Sequence, residues 1–182
     1  MIKLETGCLL IAEPFMGDPN FERSVILLCE HNAQGSFGLV LNQSSEFHLA
    51  DLIKNNVYPD ILVNYGGPVQ RDTLHFLHIV PEKISGGVEI QKGLFWGGNF
   101  DKMLEKLNLG LISMGEIRFF IGYSGWGEGQ LSQEIKRNSW IVSKTTTNNI
   151  MKNTKEYWRE TLKNMGGDYK VMANYPIDPR LN

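Results

Sequence analysis

Short apolar runs set between glycine and proline punctuation dominate the first half of the chain. "GCLLIA" (7–12) has the length and uniform apolarity of a buried strand. "EPFMGDPN" (13–20) carries two prolines and the turn pair Asp18-Pro19, so it is a loop. "SVILLCEH" (24–31) and "SFGLVLNQ" (36–43), joined by "NAQG", form the clearest hairpin. A short helix near 48–55 follows from Leu49, Leu52 and Ile53 on one face. Then come a strand in "DILVNYGGPV" that ends at a Gly66-Gly67-Pro68 turn, a strand at "TLHFLHIV" (73–80), and a glycine-broken hairpin in "VEIQKGLFWGG" (88–98).

The period changes to 3.6 after residue 98. In "NFDKMLEKLNLG", Asn99 caps a helix whose stripe is Phe100, Met103, Leu104 and Leu107, and Gly110 ends it. A strand "EIRFFIGY", a helix from about Gln130 to Arg137 and a strand "SWIVSKT" come next. The stretch from about Asn148 to Met165 predicts a helix with a break near Asn153-Thr154. Tyr157, Trp158, Leu162 and Met165 form its buried face and Gly166 its stop. The tail "DYKVMANYPIDPRLN" is apolar enough to dock on the body. Strands early, helices late and no regular βαβ alternation define an α+β protein with a mixed or antiparallel sheet.

Composition narrows the class. A chain of 182 residues favours one domain over 1–182, able to bury roughly 70% of its unfolded surface. The net charge of -2 gives no global attraction to nucleic acid or anionic membrane. The opening "MIKLETGCLLIAEPF" does not read as a signal peptide, and no apolar run has the length of a membrane span, so a cytoplasmic location is expected. Cys8 and Cys29 read as buried thiols, and a disulfide between them requires their strands to be neighbours. Eight Lys or Arg against four acids in 134–170 give a local positive excess, best read as a solvated helix face. With no helix-turn-helix pattern, it gives only weak support to direct DNA binding.

The richest stretch chemically is "RFFIGYSGWGEGQL" (118–131), where an apolar run leads into four glycines in eight positions. Three catalytic templates fail there. The hydrolase elbow Gly-x-Ser-x-Gly meets Trp126 at its last position. The dinucleotide pattern meets Gln130 where its last glycine belongs, and no Walker Gly-Lys-Ser/Thr is present. What remains is a tight glycine loop opening on a helix start, either an anion cradle or a turn anchored by Tyr123 and Trp126. Two further clusters carry the same ambiguity. In "DPNFERS", Arg23 either joins an internal clamp with Asp18 or grips an external anion. In "YGGPVQRD", Arg71 fixes the turn or clamps a ligand. His75 and His78, three apart in a strand, point to opposite faces and make poor metal geometry. The sequence assigns no catalytic residue, no metal and no cofactor.

Taken in order, "GCLLIAEPFMGDPNFERSVILLCEHNAQGSFGLVLNQ", "YGGPVQRD", "GLFWGGNFD", "IRFFIGYSGWGEGQL", "NSWIV" and "NYPIDPRLN" resemble the YqgE/AlgH family of bacterial proteins along essentially the whole chain. The resemblance implies a compact α+β domain whose mixed, largely antiparallel sheet folds into a pseudo-barrel with flanking helices. It also implies a cytosolic protein, a putative transcriptional-regulator label and no assigned chemistry. Asp18, Pro19, Asn20, Arg23, Gly66, Gly67, Pro68, Arg71, Tyr123, Ser124, Gly125, Trp126, Gly129 and Gln130 stand in the signature motifs. Gly127-Glu128 stands where the family more usually reads Ala-Pro. Pro19 and Pro68 shape turns, and the other twelve are the candidate ligand-binding residues. The expected function is a non-enzymatic binding or regulatory module that meets a protein partner or a small anionic ligand. The alternative is an enzyme of unrecognised type acting on a small anion through Ser124, Arg23 and Arg71.

Overall fold

The computed structural model describes residues 2–53 and 60–177. The end of the predicted 48–55 helix and the last part of the tail lie outside them. Ten strands form the sheet: β1 (Leu9–Ala12), β2 (Val25–Asn32), β3 (Gly35–Val40), β4 (Ser44–His48), β5 (Leu62–Tyr65), β6 (Val69–His78), β7 (Val88–Gln91), β8 (Leu94–Trp96), β9 (Ile117–Gly127) and β10 (Trp140–Ser143). The helices are α1 (Leu49–Leu52), α2 (Phe100–Asn108), α3 (Gln130–Lys136), α4 (Thr147–Met151), α5 (Tyr157–Met165) and α6 (Gly167–Met172).

The strand order is β10-β1-β2-β3-β9-β6-β8-β7, with β4 held through β5. Every pairing is antiparallel except β5 with β9, where Asn64 faces Phe120. The α+β class and the mixed, mostly antiparallel sheet are as the sequence leads one to expect. The pseudo-barrel needs correction. The path ends at β10 and β7, which do not pair, so the sheet curls without closing into a barrel.

Three apolar clusters follow from this curl. The inner one joins Leu27, Cys29, Leu39 and Phe120 to Ile150, Trp158 and Leu162 of α4 and α5. A second gathers Phe76, Phe119 and Ile121 with Met103, Leu104 and Leu107 of α2. The third places Ile26, Leu28, Trp126 and Trp140 with Leu131 of α3. Asn99 caps α2 as its sequence requires, its side chain accepting from Lys102 N at 2.9 Å. The predicted break near 153 separates α4 from α5, while α6 was read as tail because its six residues bury no side chain.

Cys8 immediately precedes β1, and Cys29 lies on its neighbour β2. The register that pairs Leu9 with Leu27 puts Cys8 opposite Leu28, so the two thiols face opposite sides of the sheet and both are free and buried. Burial pushes the Cys29 thiol well above its ordinary pKa.

The glycine stretch departs most from its sequence reading. The strand does not stop at Tyr123. It continues to Gly127, and only Glu128-Gly129 turn before α3. Gly122, at φ 67°, switches the side-chain phase. Before it, Phe119 and Ile121 face the α2 cluster and Phe120 the inner one; after it, Tyr123 faces inward and Trp126 joins the α3 cluster. One strand thereby serves two parts of the sheet, pairing with β5 and β6 first and with β3 last.

Candidate binding face

The candidate residues do not converge on one point. They fall into four places, set by which strand or loop carries them.

Gly66, Gly67, Ser124 and Arg71 meet at the seam where β9 exchanges β5 for β3. Gly66 N donates to Ile121 O at 2.8 Å, and Gly66 O accepts from Val40 N at 2.9 Å. The same carbonyl accepts the Ser124 hydroxyl at 3.2 Å. Ser124 has no exposed surface, so its hydroxyl is a structural donor and not a reachable nucleophile. A Cβ on Gly67 would stand 2.2 Å from the backbone carbon and oxygen of Tyr123. Two backbones touch here, and side chains are excluded for that reason. Arg71 is exposed and lies over the Tyr65 ring, 5.3 Å from its centroid, and among the described residues it has no salt bridge to the turn.

Trp126, Gly129 and Gln130 belong to the base of α3. The indole N–H groups of Trp126 and Trp140 both donate to Glu134 Oε2, at 2.9 and 2.8 Å. Gln130 donates to Glu134 Oε1 and accepts from Gly127 N. The helix start is thus occupied by its own side chains, above a carboxylate. The adjoining cavity of about 380 Å³ is lined by His31, Ser36 and Gly127 to Gly129.

Asp18, Asn20 and Arg23 lie on the β1–β2 loop. The predicted Asp18–Arg23 clamp is absent. Asp18 Oδ1 instead accepts from Asn20, from its backbone N at 2.9 Å and its amide at 3.1 Å. Arg23 turns away to the C-terminal helices.

Tyr123 leads to a fourth place that the sequence did not reveal. Phe37 on β3, Tyr123 on β9, His75 on β6 and Trp96 on β8 come from four strands adjacent in the sheet. In a flat sheet β3 and β8 would be about 14 Å apart. The Phe37 and Trp96 ring centroids are 4.7 Å apart, so the sheet is concave here and its rings converge. Tyr123 stacks on Phe37 at 4.7 Å, and His75 meets both edge-on at 5.2 and 5.9 Å. Gly125 gives the Tyr123 ring room to fold along its own strand. All four rings are only partly buried. Val88, 57% exposed and directly opposite Trp96, extends the apolar stripe to β7.

The two histidines of β6 occupy opposite faces, as expected. His78 has no exposed surface, its Nε2 lies 3.0 Å from Gly97 O, and its Nδ1 accepts from Val80 N at 3.3 Å. Those partners fix a neutral ring with the proton on Nε2, because a proton on Nδ1 would displace the Val80 N–H. Burial lowers the pKa of both His75 and His78, although Gly97 O and Glu82 oppose this at His78. Below the unfolded value of about 6.5, the unfolded chain therefore binds more protons than the folded one, and stability is lost as pH falls through the folded values. The melting temperature is expected to drop by several degrees between pH 7 and 5, above the range where carboxylates titrate, and His75→Phe to flatten part of that slope. A level profile over this window would show that the rings are not held neutral.

Arg118 is the other residue that sequence reasoning passed over. It is 5% exposed, inside the quoted apolar run, and has no carboxylate partner among the described residues. Its guanidinium donates to the carbonyls of Ile150, Leu41 and Lys152 at 2.6, 2.6 and 3.2 Å and lies over Phe120. Burial lowers its pKa to about 10, so it remains charged at neutral pH. Its signal was in the sequence, since a lone Arg between apolar neighbours on a strand covered on both faces has no route to water.

The open, curled α+β sheet with helices on both sides defines the class, and comparison with known proteins supplies the family. A family profile described as AlgH-like (DUF179) matches residues 9–170. A UPF0301 protein of Cytophaga hutchinsonii is 43% identical over 181 residues, covering 98% of this chain and 100% of that one. Another from Chlorobium limicola is also 43% identical over 181 residues, covering 99% and 97%. The chain belongs to the AlgH-like, UPF0301 family. The solution structure of the AlgH protein from Pseudomonas aeruginosa superposes with a TM-score of 0.75 at 27% identity, covering 97% of this chain and 98% of that one. A crystal structure of a Corynebacterium diphtheriae protein gives 0.80 at 22% identity, covering 96% and 94%, a likeness of fold alone. Among the described residues no helix is long and apolar enough to cross a membrane.

Proposed function

We propose that residues 1–182 act as one non-enzymatic binding module, with a regulatory role exerted through a protein partner seated on the ring stripe. The observation that carries this reading is the convergence of Phe37, His75, Trp96 and Tyr123, each only partly buried, on a concave face. Aromatic side chains of this kind anchor protein interfaces, because they bury large area with few rotors to freeze. A partner is favoured over duplex DNA because the chain carries a net charge of -2, and DNA affinity is built from neutralised phosphates.

The test compares wild type, Val88→Glu and Trp96→Ala in pull-downs from cell extract, with duplex DNA titrated at low salt in parallel. Val88 is exposed, so its variant should melt within about 1 kcal/mol of wild type. The expected outcome is a partner retained by wild type and lost at least tenfold by both variants. A partner held equally by all three, or steeply salt-dependent DNA binding without one, would overturn the reading.

A further inference from the structure

A second site lies away from the ring stripe, where the β1–β2 loop meets the start of α5. A cavity of about 350 Å³ opens there, within the range of small-molecule sites. Its walls bring together three cations, Arg23, Lys155 and Arg159, with the carboxylates of Glu22 and Glu156.

Arg23 is built into this wall. Its backbone is left-handed at φ 52°, a conformation costly for a residue with a side chain. Asn42 holds it there, its amide donating to Arg23 O at 2.9 Å while its oxygen accepts from Val25 N at 2.9 Å. The guanidinium lies over the Trp158 ring, its Cζ 4.7 Å from the ring centroid, and Nη2 donates to Tyr175 O. Trp158 is fixed in turn by its indole N–H to Ala12 O at 2.9 Å. One edge of the guanidinium is thereby used, and the buried Nε has no partner among the described residues. The Nε is itself out of reach of solvent, so the donor left for an acceptor in the cavity is Nη1, which makes no hydrogen bond among the described residues.

The other two cations complete the charge. Arg159 spends Nη1 on Glu156 at 3.1 Å and Nε on Ala173 O at 3.2 Å. Lys155 has no ion pair among the described residues. Burial first, and then the neighbouring Arg159, lower the Arg23 pKa, while Glu22 and Glu156 oppose them. With Glu156 engaged by Arg159, the surplus is positive. An aromatic ligand cannot stack on Trp158, because Arg23 covers it.

We propose that this cavity is a binding site for a small phosphate-class oxyanion, such as the phosphate of a phosphorylated metabolite, gripped by Arg23 with Lys155 and Arg159. The fixed fork of Arg23 supplies direction and Lys155 a mobile point charge, the division of labour that phosphate sites use.

The test is an NMR titration of the full chain with inorganic phosphate at constant ionic strength, followed at the Trp158 indole N–H and the Arg23 Nε–H. Malonate serves as the dicarboxylate arm and chloride as the screening control. Saturating shifts with phosphate are expected, weakened at least tenfold in Lys155→Ala and in Arg159→Ala. These variants lie at the cavity mouth and leave the Arg23 turn intact, whereas Arg23→Ala disturbs the loop itself. Shifts no larger than those from chloride would overturn the proposal. So would saturation with malonate alone, or phosphate binding unchanged in both variants.

Discussion

Gly67→Ala is expected to remove most or all of the stability of this protein. The added Cβ would lie 2.2 Å from Tyr123 C and O and 2.5 Å from Ser124 N. Those atoms belong to the backbone of the central strand, so no rotamer change relieves the clash. The residue also sits at φ 153°, outside the range that L side chains normally adopt. A core strand would have to shift, at a cost of roughly 4 kcal/mol or more against a typical total of about 5–15. Gly17→Ala is the matched control, with nothing within 4 Å of its added Cβ and no positive φ. Its expected change is within about 0.5 kcal/mol. The comparison is read by thermal melts of the soluble fraction. Gly67→Ala melting within a few degrees of wild type would show that the two backbones are not in contact.

This crossing also shows why the glycine stretch misled a reading from sequence. Four glycines in eight residues have the composition of a loop. In the folded protein Gly122 resets the phase of a long strand, Gly125 makes room for a ring, and Gly66 and Gly67 admit a second backbone. Each role depends on a neighbour distant in sequence, so no local pattern distinguishes them from turn residues. Local chemistry was legible where local chemistry decides. The "NAQG" hairpin, the Asn99 cap and the split between α4 and α5 follow from turn composition and the 3.6 period. The candidate site was legible only in fragments. Tyr123 was named for its motif, yet its partners Phe37, His75 and Trp96 come together because β3, β9, β6 and β8 lie side by side, an order set by the whole fold. Arg23 was named as well, but its expected partner Asp18 holds Asn20 instead, and the aromatic it lies on belongs to α5.

Arg118 gives the second large effect, and two physical terms of opposite sign set its size. Removing it relieves the desolvation of a buried cation, which by itself favours an apolar replacement. Removing it also strips the donor from the carbonyls of Ile150, Lys152 and Leu41, each buried acceptor costing about 1–3 kcal/mol if left unpaired. Here, among the described residues, the cation has no carboxylate whose charge would also be stranded, and its carbonyl partners lie on two separate segments, the end of α4 and the residue after β3. Arg118→Met keeps most of the stem volume and deletes the donors. Its expected cost is about 2–4 kcal/mol, with Arg118→Ala worse by the cavity it opens. The loss should be uneven. Two of the three carbonyls close α4, so its amides are expected to exchange with solvent far faster in Arg118→Met, while those of β2 and β3 keep most of their protection. Uniform loss of protection would mean that the guanidinium supports the core as a whole. A Met variant as stable as wild type would mean that desolvation outweighs the three hydrogen bonds. On the geometry observed, with two contacts at 2.6 Å, the hydrogen bonds prevail, and Arg118 is the pin that fastens α4 and the segment after it to the sheet.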